Sequence, residues 1–104
     1  MIVDERLRAI AERLRRDYAA ERVLLYGSYA RGEEGPDSDM DLLIIAPTRE
    51  RFFERMASVL RLARDLRAGL PLAPVVLTPE EVAERLVRGD QFVADILGSG
   101  LEIG

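Results

Sequence analysis

Residues 27–32 read Gly-Ser-Tyr-Ala-Arg-Gly, and further along residues 39–45 read Asp-Met-Asp-Leu-Leu-Ile-Ile. The first stretch is a glycine-serine turn after the apolar run at residues 23–26, and the second places two aspartates at the start of another apolar run. Side chains two residues apart in a strand point the same way, so Asp39 and Asp41 are expected to project together, roughly 7 Å apart along the backbone. The pattern predicts two strands joined through a turn, the second carrying a pair of carboxylates at its start.

The residue types in these two stretches suit a divalent cation and a phosphate. Paired carboxylates provide the oxygen ligands that Mg²⁺ takes in proteins. The Ser28 hydroxyl and the backbone N–H groups at the start of a following helix suit a phosphate. The chain contains no histidine and no cysteine, so any base or metal ligand must be a carboxylate, a hydroxyl or a backbone group. Together the stretches predict a metal-nucleotide site.

Other metal and phosphate motifs do not fit the sequence. Asp37, Asp39 and Asp41 imitate the opening of a calcium-binding loop, but Leu42 stands where that loop needs glycine and Thr48 where it needs glutamate. The sequence also lacks a Gly-Lys-Ser/Thr phosphate loop and a Gly-x-Gly-x-x-Gly motif.

Length and composition predict one domain over residues 1–104, which is large enough for a single hydrophobic core. The content of 48% hydrophobic and 33% charged residues is typical of soluble globular proteins. No apolar run approaches the roughly 20 residues of a membrane span, and the first residues lack the basic-then-apolar order of a signal peptide. We therefore expect a cytoplasmic protein without membrane contact. The net charge of −4 argues against nucleic acid as a partner.

Hydrophobic periodicity and turn residues predict an alternation of helices and strands. This alternation indicates an α/β or α+β fold, with a small mixed β-sheet of three to four strands covered by helices. Ser28, Thr48 and Thr78 are predicted to start helices, and Thr78 with Pro79 and Glu81 forms a full helix-start signal. The predicted helices cover residues 3–19, 28–33, 48–69, 79–88 and 90–97, and the predicted strands cover residues 22–26, 40–46, 70–77 and 101–103.

Two strands have a predicted place in the sheet. The strand at residues 40–46 is apolar on both faces beyond its acidic start, which predicts a central position. The strand at residues 70–77 is expected at an edge at its start, because Pro71 and Pro74 cannot donate to a ladder.

The three phenylalanines have two interpretations. Phe52, Phe53 and Phe92 are expected in the core, where most aromatic side chains lie. The alternative is that they supply apolar contacts to a partner protein.

The order of features over residues 22–46 resembles the nucleotidyltransferases of the DNA polymerase β superfamily: strand, Gly-Ser, short helix, Arg-Gly, Pro-Asp-Ser-Asp-x-Asp and apolar strand. The match is best to the smallest members, the minimal nucleotidyltransferase domains that are often encoded beside a HEPN-domain partner. Residues 77–81 and 90–97 also resemble parts of such small proteins. The resemblance implies a polymerase-β-like nucleotidyltransferase fold.

The resemblance implies roles for five residues. Gly27 lets the backbone approach a triphosphate, and Ser28 donates its hydroxyl and N–H to phosphate oxygens. Asp39 and Asp41 form the catalytic pair and hold Mg²⁺, with two ions possible. Arg31 either reaches a phosphate or braces the aspartates, and the sequence leaves both roles open.

The implied activity is Mg²⁺-dependent transfer of a nucleoside monophosphate, AMP from ATP, to a hydroxyl with release of pyrophosphate. The small family members indicate a protein acceptor, such as a tyrosine on a HEPN-type toxin, which would make this chain an antitoxin. Since nothing in the sequence resembles an acceptor-binding domain, a HEPN-type partner or a homo-oligomer is expected to complete the site.

The sequence departs from the family pattern at one point. Active members usually carry a third carboxylate on the strand beside the paired aspartates, whereas residues 70–77 contain no acid. Glu80 and Glu81 follow this stretch, and helix capping explains Glu81. The alternative function is therefore a catalytically weak or inactive module that binds nucleotide or a partner and neutralises the partner by complex formation.

Overall fold

In the computed structural model, which describes residues 5–104, helices alternate with strands as the hydrophobic periodicity predicts. None of the helices in this range is long and apolar enough to span a bilayer. The elements are α1 (Glu5–Asp17), β1 (Arg22–Tyr26), α2 (Gly27–Arg31), β2 (Met40–Ile45), α3 (Phe52–Arg67), β3 (Leu72–Leu77), α4 (Pro79–Val87), α5 (Gln91–Ser99) and β4 (Leu101–Glu102).

The four strands form one mixed sheet in the order β3-β2-β1-β4. Strand β1 is antiparallel to both β2 and β4, and β2 is parallel to β3. The predicted α+β fold is confirmed, as are the central position of β2 and the edge position of β3. The edge suits Pro74, which pairs with Leu42 but has no N–H to donate.

The two faces of the sheet carry separate hydrophobic clusters because side chains alternate along each strand. Leu42 and Ile44 of β2 belong to the cluster that includes buried residues of α1 and α3. Leu43 and Ile45 belong to the cluster that includes Val82 of α4 and residues of α5. By the same alternation Asp41 lies on the face covered by α4 and α5, at its open end.

The predicted cap of α2 is wrong. Tyr26, not Ser28, occupies the N-cap position, and its side chain makes no capping hydrogen bond. Gly27 has a φ of 75° and makes the turn itself, so Ser28 comes after the turn and lies within the helix. The helix ends at Arg31, short of residue 33, because Gly32 adopts a left-handed conformation with a φ of 71°.

The predicted start of α3 at Thr48 is also wrong. The Thr48 hydroxyl accepts a hydrogen bond from the Glu50 backbone N–H at 3.1 Å, a local turn that competes with helix formation. The helix begins at Phe52, after Arg51, whose backbone N–H donates to the Glu54 carboxylate at 2.7 Å.

The expected core position of the phenylalanines is wrong. The exposed fractions of Phe52, Phe53 and Phe92 are 40%, 80% and 47%. All three lie in the first turn of their helices. Further along α3, Val59 and Ala63 are buried.

The remaining boundaries differ by at most two residues from the predicted ones. Helix α1 ends at Asp17 and not at Ala19, which has a φ of 57°, and residue 3 lies outside the described residues. Strand β3 starts at Leu72, after Pro71. Gly98 lies inside α5, which continues to Ser99.

The helix-start signal of α4 is confirmed. The Thr78 side chain accepts from the Glu81 backbone N–H at 3.1 Å, and the Glu81 carboxylate accepts from the Thr78 N–H at 2.8 Å. Pro79 takes the first helical position.

Candidate functional site

The glycine-serine turn and the paired aspartates meet at one end of the sheet. The last residue of β1, Tyr26, is the direct partner of Asp41 in the antiparallel ladder. Gly27 follows Tyr26 at once and starts α2, while Asp39 comes just before the first residue of β2. The pairing of β1 with β2 therefore brings together the two stretches that the sequence singles out.

The Asp41 carboxylate lies directly against the backbone of Gly27. A Cβ at position 27 would stand 2.3 Å from Oδ2 of Asp41 and 3.3 Å from its Cγ, so that a side chain there would push the carboxylate aside. The positive φ of Gly27 disfavours other residues as well. Glycine is therefore favoured at this position by its backbone conformation, and any other residue there would displace the Asp41 carboxylate.

The two carboxylates repel each other electrostatically. Asp41 is partly buried, and this burial raises its pKa above the ordinary value. The negative charge of Asp39 raises the pKa of Asp41 further, and the positive charge of Arg31 opposes both effects. Asp39 itself is exposed. Such a pair is stabilised by a bound cation.

Arg31 and Ser28 lie beside the carboxylates without binding them. The exposed Arg31 guanidinium forms an ion pair with Glu33 at 3.1 Å, while its charge still reaches Asp41. Ser28 is partly exposed, and its backbone carbonyl accepts from the Glu33 N–H at 2.9 Å. The Ser28 hydroxyl and the Arg31 side chain thus remain close to a ligand that would contact Asp41.

On the other side of Asp41, the neighbouring strand presents Ala73. Strands β2 and β3 pair in parallel with Asp41 directly beside Ala73, and paired residues project to the same face of a sheet. Across residues 5–104, no group of three or more acidic, histidine or cysteine side chains is placed to hold a metal ion. The position that could supply a third carboxylate carries a methyl group.

The model of the nucleotidyltransferase domain family matches residues 7–98. The chain belongs to the nucleotidyltransferase domain family. The matched range contains β1, α2 and β2 and therefore the complete candidate site. Membership confirms that residues 22–46 belong to a nucleotidyltransferase and implies a nucleotide substrate. The mixed sheet agrees with a polymerase-β-like nucleotidyltransferase fold.

The donor set of this nucleotidyltransferase domain fits Mg²⁺. Mg²⁺ takes oxygen ligands, typically one or two carboxylates together with water and substrate phosphates. Asp39 and Asp41 supply two carboxylates whose charges act on each other, and the Asp41 carboxylate lies against the Gly27 backbone. The residues present therefore suit the metal that the family commonly uses.

Glu81 is committed to a structural role elsewhere in the domain. Its carboxylate forms an ion pair with Arg55 at 2.6 Å, and the Arg55 side chain is buried. The hydrogen bond from Arg55 is the main cause that lowers the pKa of Glu81. Glu81 thus serves the start of α4, as the capping signal predicts, and it holds a buried cation.

Sequence reasoning missed an aromatic pair beside the carboxylates. The rings of Tyr26 and Phe92 meet edge to face, with centroids 5.5 Å apart and an angle of 89° between their planes. Burial raises the pKa of the Tyr26 hydroxyl, and the charge of Asp41 adds to this effect. The one local signal was the place of Phe92 directly after the start of α5, two residues beyond the N-cap Asp90.

Proposed function

We propose that this nucleotidyltransferase domain binds a nucleoside triphosphate with Mg²⁺ at Asp39 and Asp41 and transfers AMP from ATP to a hydroxyl group. The observation that carries the proposal is that the Asp41 carboxylate lies against the backbone of Gly27, and that the exposed Asp39 is two residues before it. This contact brings two repelling carboxylates next to the glycine-serine turn. Family membership supports the reaction class.

Each site residue has a role in this proposal. Asp39 and Asp41 hold Mg²⁺, which when bound neutralises the phosphates and favours attack at the α-phosphorus. Gly27 keeps the backbone close to the phosphates, and Ser28 donates its hydroxyl to them. Arg31 binds a phosphate, because its ion pair with an exposed carboxylate is weak and easily exchanged.

The transfer itself is an in-line displacement. The acceptor hydroxyl loses its proton to solvent water, its oxygen bonds to the α-phosphorus, and the bond from that phosphorus to the leaving pyrophosphate breaks. A general base typically contributes about 10²–10⁴ in rate to such a step. Because Ala73 leaves the β3 side of Asp41 without an acid, we expect slow turnover.

The proposed acceptor is a tyrosine on a HEPN-type toxin, so that the chain acts as the antitoxin of a cytoplasmic pair. The resemblance of residues 22–46 to minimal nucleotidyltransferase domains supports this assignment. In this proposal the partner, or a second copy of the chain, brings the acceptor.

A second candidate is neutralisation by binding alone. It is favoured by Ala73 at the position beside Asp41, and by apolar side chains that are open to solvent. Phe53 is 80% exposed and Val87 is 89% exposed, which suits contact with another protein.

The test is label transfer from ATP to the HEPN-type protein of the proposed pair. With Mg²⁺ present, label at the α-phosphate is expected on the partner, and label at the γ-phosphate is expected in released pyrophosphate. The double variant Asp39→Asn/Asp41→Asn should transfer no label. If that variant still neutralises the toxin in cells as well as the wild type does, binding alone is the function and transfer is not.

A further inference from the structure

The surface next to the paired carboxylates is aromatic. Phe92 is 47% exposed although its ring touches Tyr26. Tyr26 is partly buried and packs against the cluster beneath α4 and α5. The Tyr26 ring is therefore held against the core, and the half-exposed Phe92 ring lies beside it.

This aromatic pair lies on the same face of the sheet as Asp41. Tyr26 and Asp41 are direct partners in the antiparallel ladder, which places their Cβ atoms about 4.5–5.5 Å apart on one face. The charge of Asp41 acts on the Tyr26 hydroxyl. Phe92 is therefore two contacts away from the carboxylate, through Tyr26.

We propose that Phe92, supported by Tyr26, is the stacking platform for the base of the nucleotide whose phosphates lie at Asp39 and Asp41. This inference rests on the proposed function and adds the subsite that holds the base. Every nucleobase presents a π-face, and its stacking on an aromatic side chain is sequence-tolerant. The platform therefore favours nucleotides over inorganic polyphosphates without selecting strongly among the bases.

The chemistry of the surroundings agrees with a base as the occupant. A charged phosphate loses hydration when it contacts an apolar ring, which is unfavourable. A base can instead stack one face on the ring while the polar groups at its edge stay hydrated. Phe92 offers such a surface because half of it is exposed and its packing against Tyr26 fixes its orientation. An aromatic side chain held by an edge-to-face contact also loses little further freedom when a ligand stacks on it.

The test compares ATP with tripolyphosphate, which carries the phosphates without the base. Binding of each to the full chain is measured by calorimetry in Mg²⁺ for the wild type, Phe92→Ala and Phe53→Ala. Phe53 is the matched control, since it is exposed and lies in α3, beyond the opposite end of β2. Phe92→Ala is expected to weaken ATP binding by about 5- to 150-fold and to leave tripolyphosphate binding unchanged, whereas Phe53→Ala should change neither.

A second variant reports on the contact directly. The chain contains no tryptophan, so Phe92→Trp introduces a unique fluorophore. We expect ATP with Mg²⁺ to quench this fluorescence and tripolyphosphate with Mg²⁺ to leave it unchanged.

The outcomes separate the inference from the function on which it rests. Equal ATP affinity of Phe92→Ala and wild type, or equal losses for ATP and tripolyphosphate, overturns the platform while leaving the phosphate site intact; Phe92 would then serve folding or a partner protein. Failure of the wild type to bind either ligand overturns the proposed function together with the platform.

Discussion

The Asp41 carboxylate occupies the space that a side chain at Gly27 would need, with Oδ2 only 2.3 Å from the position of a Cβ there. The two residues are separated along the chain by α2 and a turn, and the pairing of β1 with β2 brings them together. A glycine-serine turn alone or two aspartates alone would be common features. Their direct contact makes the turn part of the carboxylate site.

Replacement of Gly27 by alanine is expected to damage the site more than the fold. The positive φ at this position should cost about 1–2 kcal/mol in the free energy of unfolding, and the new methyl group should displace Asp41. Loss of a supporting contact typically weakens metal binding about 10- to 100-fold. The matched control is Gly32→Ala, which has a similar φ of 71° and no atom within 4 Å of its Cβ position. Urea unfolding and calorimetry with ATP and Mg²⁺ should show a similar loss of stability for both variants and a loss of binding for Gly27→Ala alone.

Replacement of Arg31 by alanine tests its role at the phosphates. A charge-assisted hydrogen bond contributes about 1.5–3 kcal/mol, so we expect ATP affinity in Mg²⁺ to fall about 10- to 100-fold. Glu33→Ala removes the carboxylate that holds Arg31 in the free protein and should leave the affinity unchanged or raise it. Calorimetry on the two variants decides the role: unchanged ATP binding in Arg31→Ala would show that Arg31 contacts no phosphate.

Replacement of Ala73 by aspartate is expected to raise activity. A carboxylate at position 73 would project beside Asp41 from the parallel neighbour strand and could share the metal and accept a proton. The rate of label transfer should rise by about 10²-fold, within the range that general-base assistance provides. Ala73→Asn introduces a side chain of similar size without the charge. Equal transfer rates for the aspartate and asparagine variants would contradict this prediction.

Glu81 contributes a pH-dependent part of the stability. The hydrogen bond from Arg55 lowers the pKa of Glu81 below its ordinary value of 4.5, so the charged carboxylate stabilises the fold above that value. This contribution is lost as the pH falls through the lowered pKa. Glu81→Gln keeps a cap for Thr78 but not the charge, and it should cost about 1–2 kcal/mol at pH 7, a reduced figure because Glu81 is partly exposed.

The measurement for Glu81 is urea unfolding of the wild type and Glu81→Gln at pH 7 and near pH 3. The difference in unfolding free energy should shrink at the lower pH. Glu80→Gln is the control, since Glu80 is exposed and should show no difference at either pH. If the difference in unfolding free energy between the wild type and Glu81→Gln is the same at both pH values, the charge of Glu81 is not its cause.

The sequence predicts those features that depend on near neighbours. The cap at Thr78 and Glu81 uses residues three apart, and β1 and β2 follow from short apolar runs, so all three are confirmed. The start of α2 could not be predicted from Ser28, because it depends on the positive φ at Gly27.

The parts of the site that depend on strand register lay beyond local patterns. The alignment of Ala73 with Asp41 results from the parallel pairing of two strands joined by a helix. The contact of Phe92 with Tyr26 depends on how α5 crosses the sheet. Composition favours burial of an aromatic residue, whereas the position of Phe92 at the start of its helix leaves it half exposed.

The central claim is that a nucleotide binds with Mg²⁺ at Asp39 and Asp41. The most direct test is calorimetric titration of ATP, with and without Mg²⁺, into the wild type and Asp39→Asn/Asp41→Asn. Asp37→Asn is the control because Asp37 is an exposed acid in the preceding turn. We predict Mg²⁺-dependent binding in the wild type and the control, and its loss in the double variant. Binding of equal strength in the double variant, or no binding in the wild type, would contradict the claim.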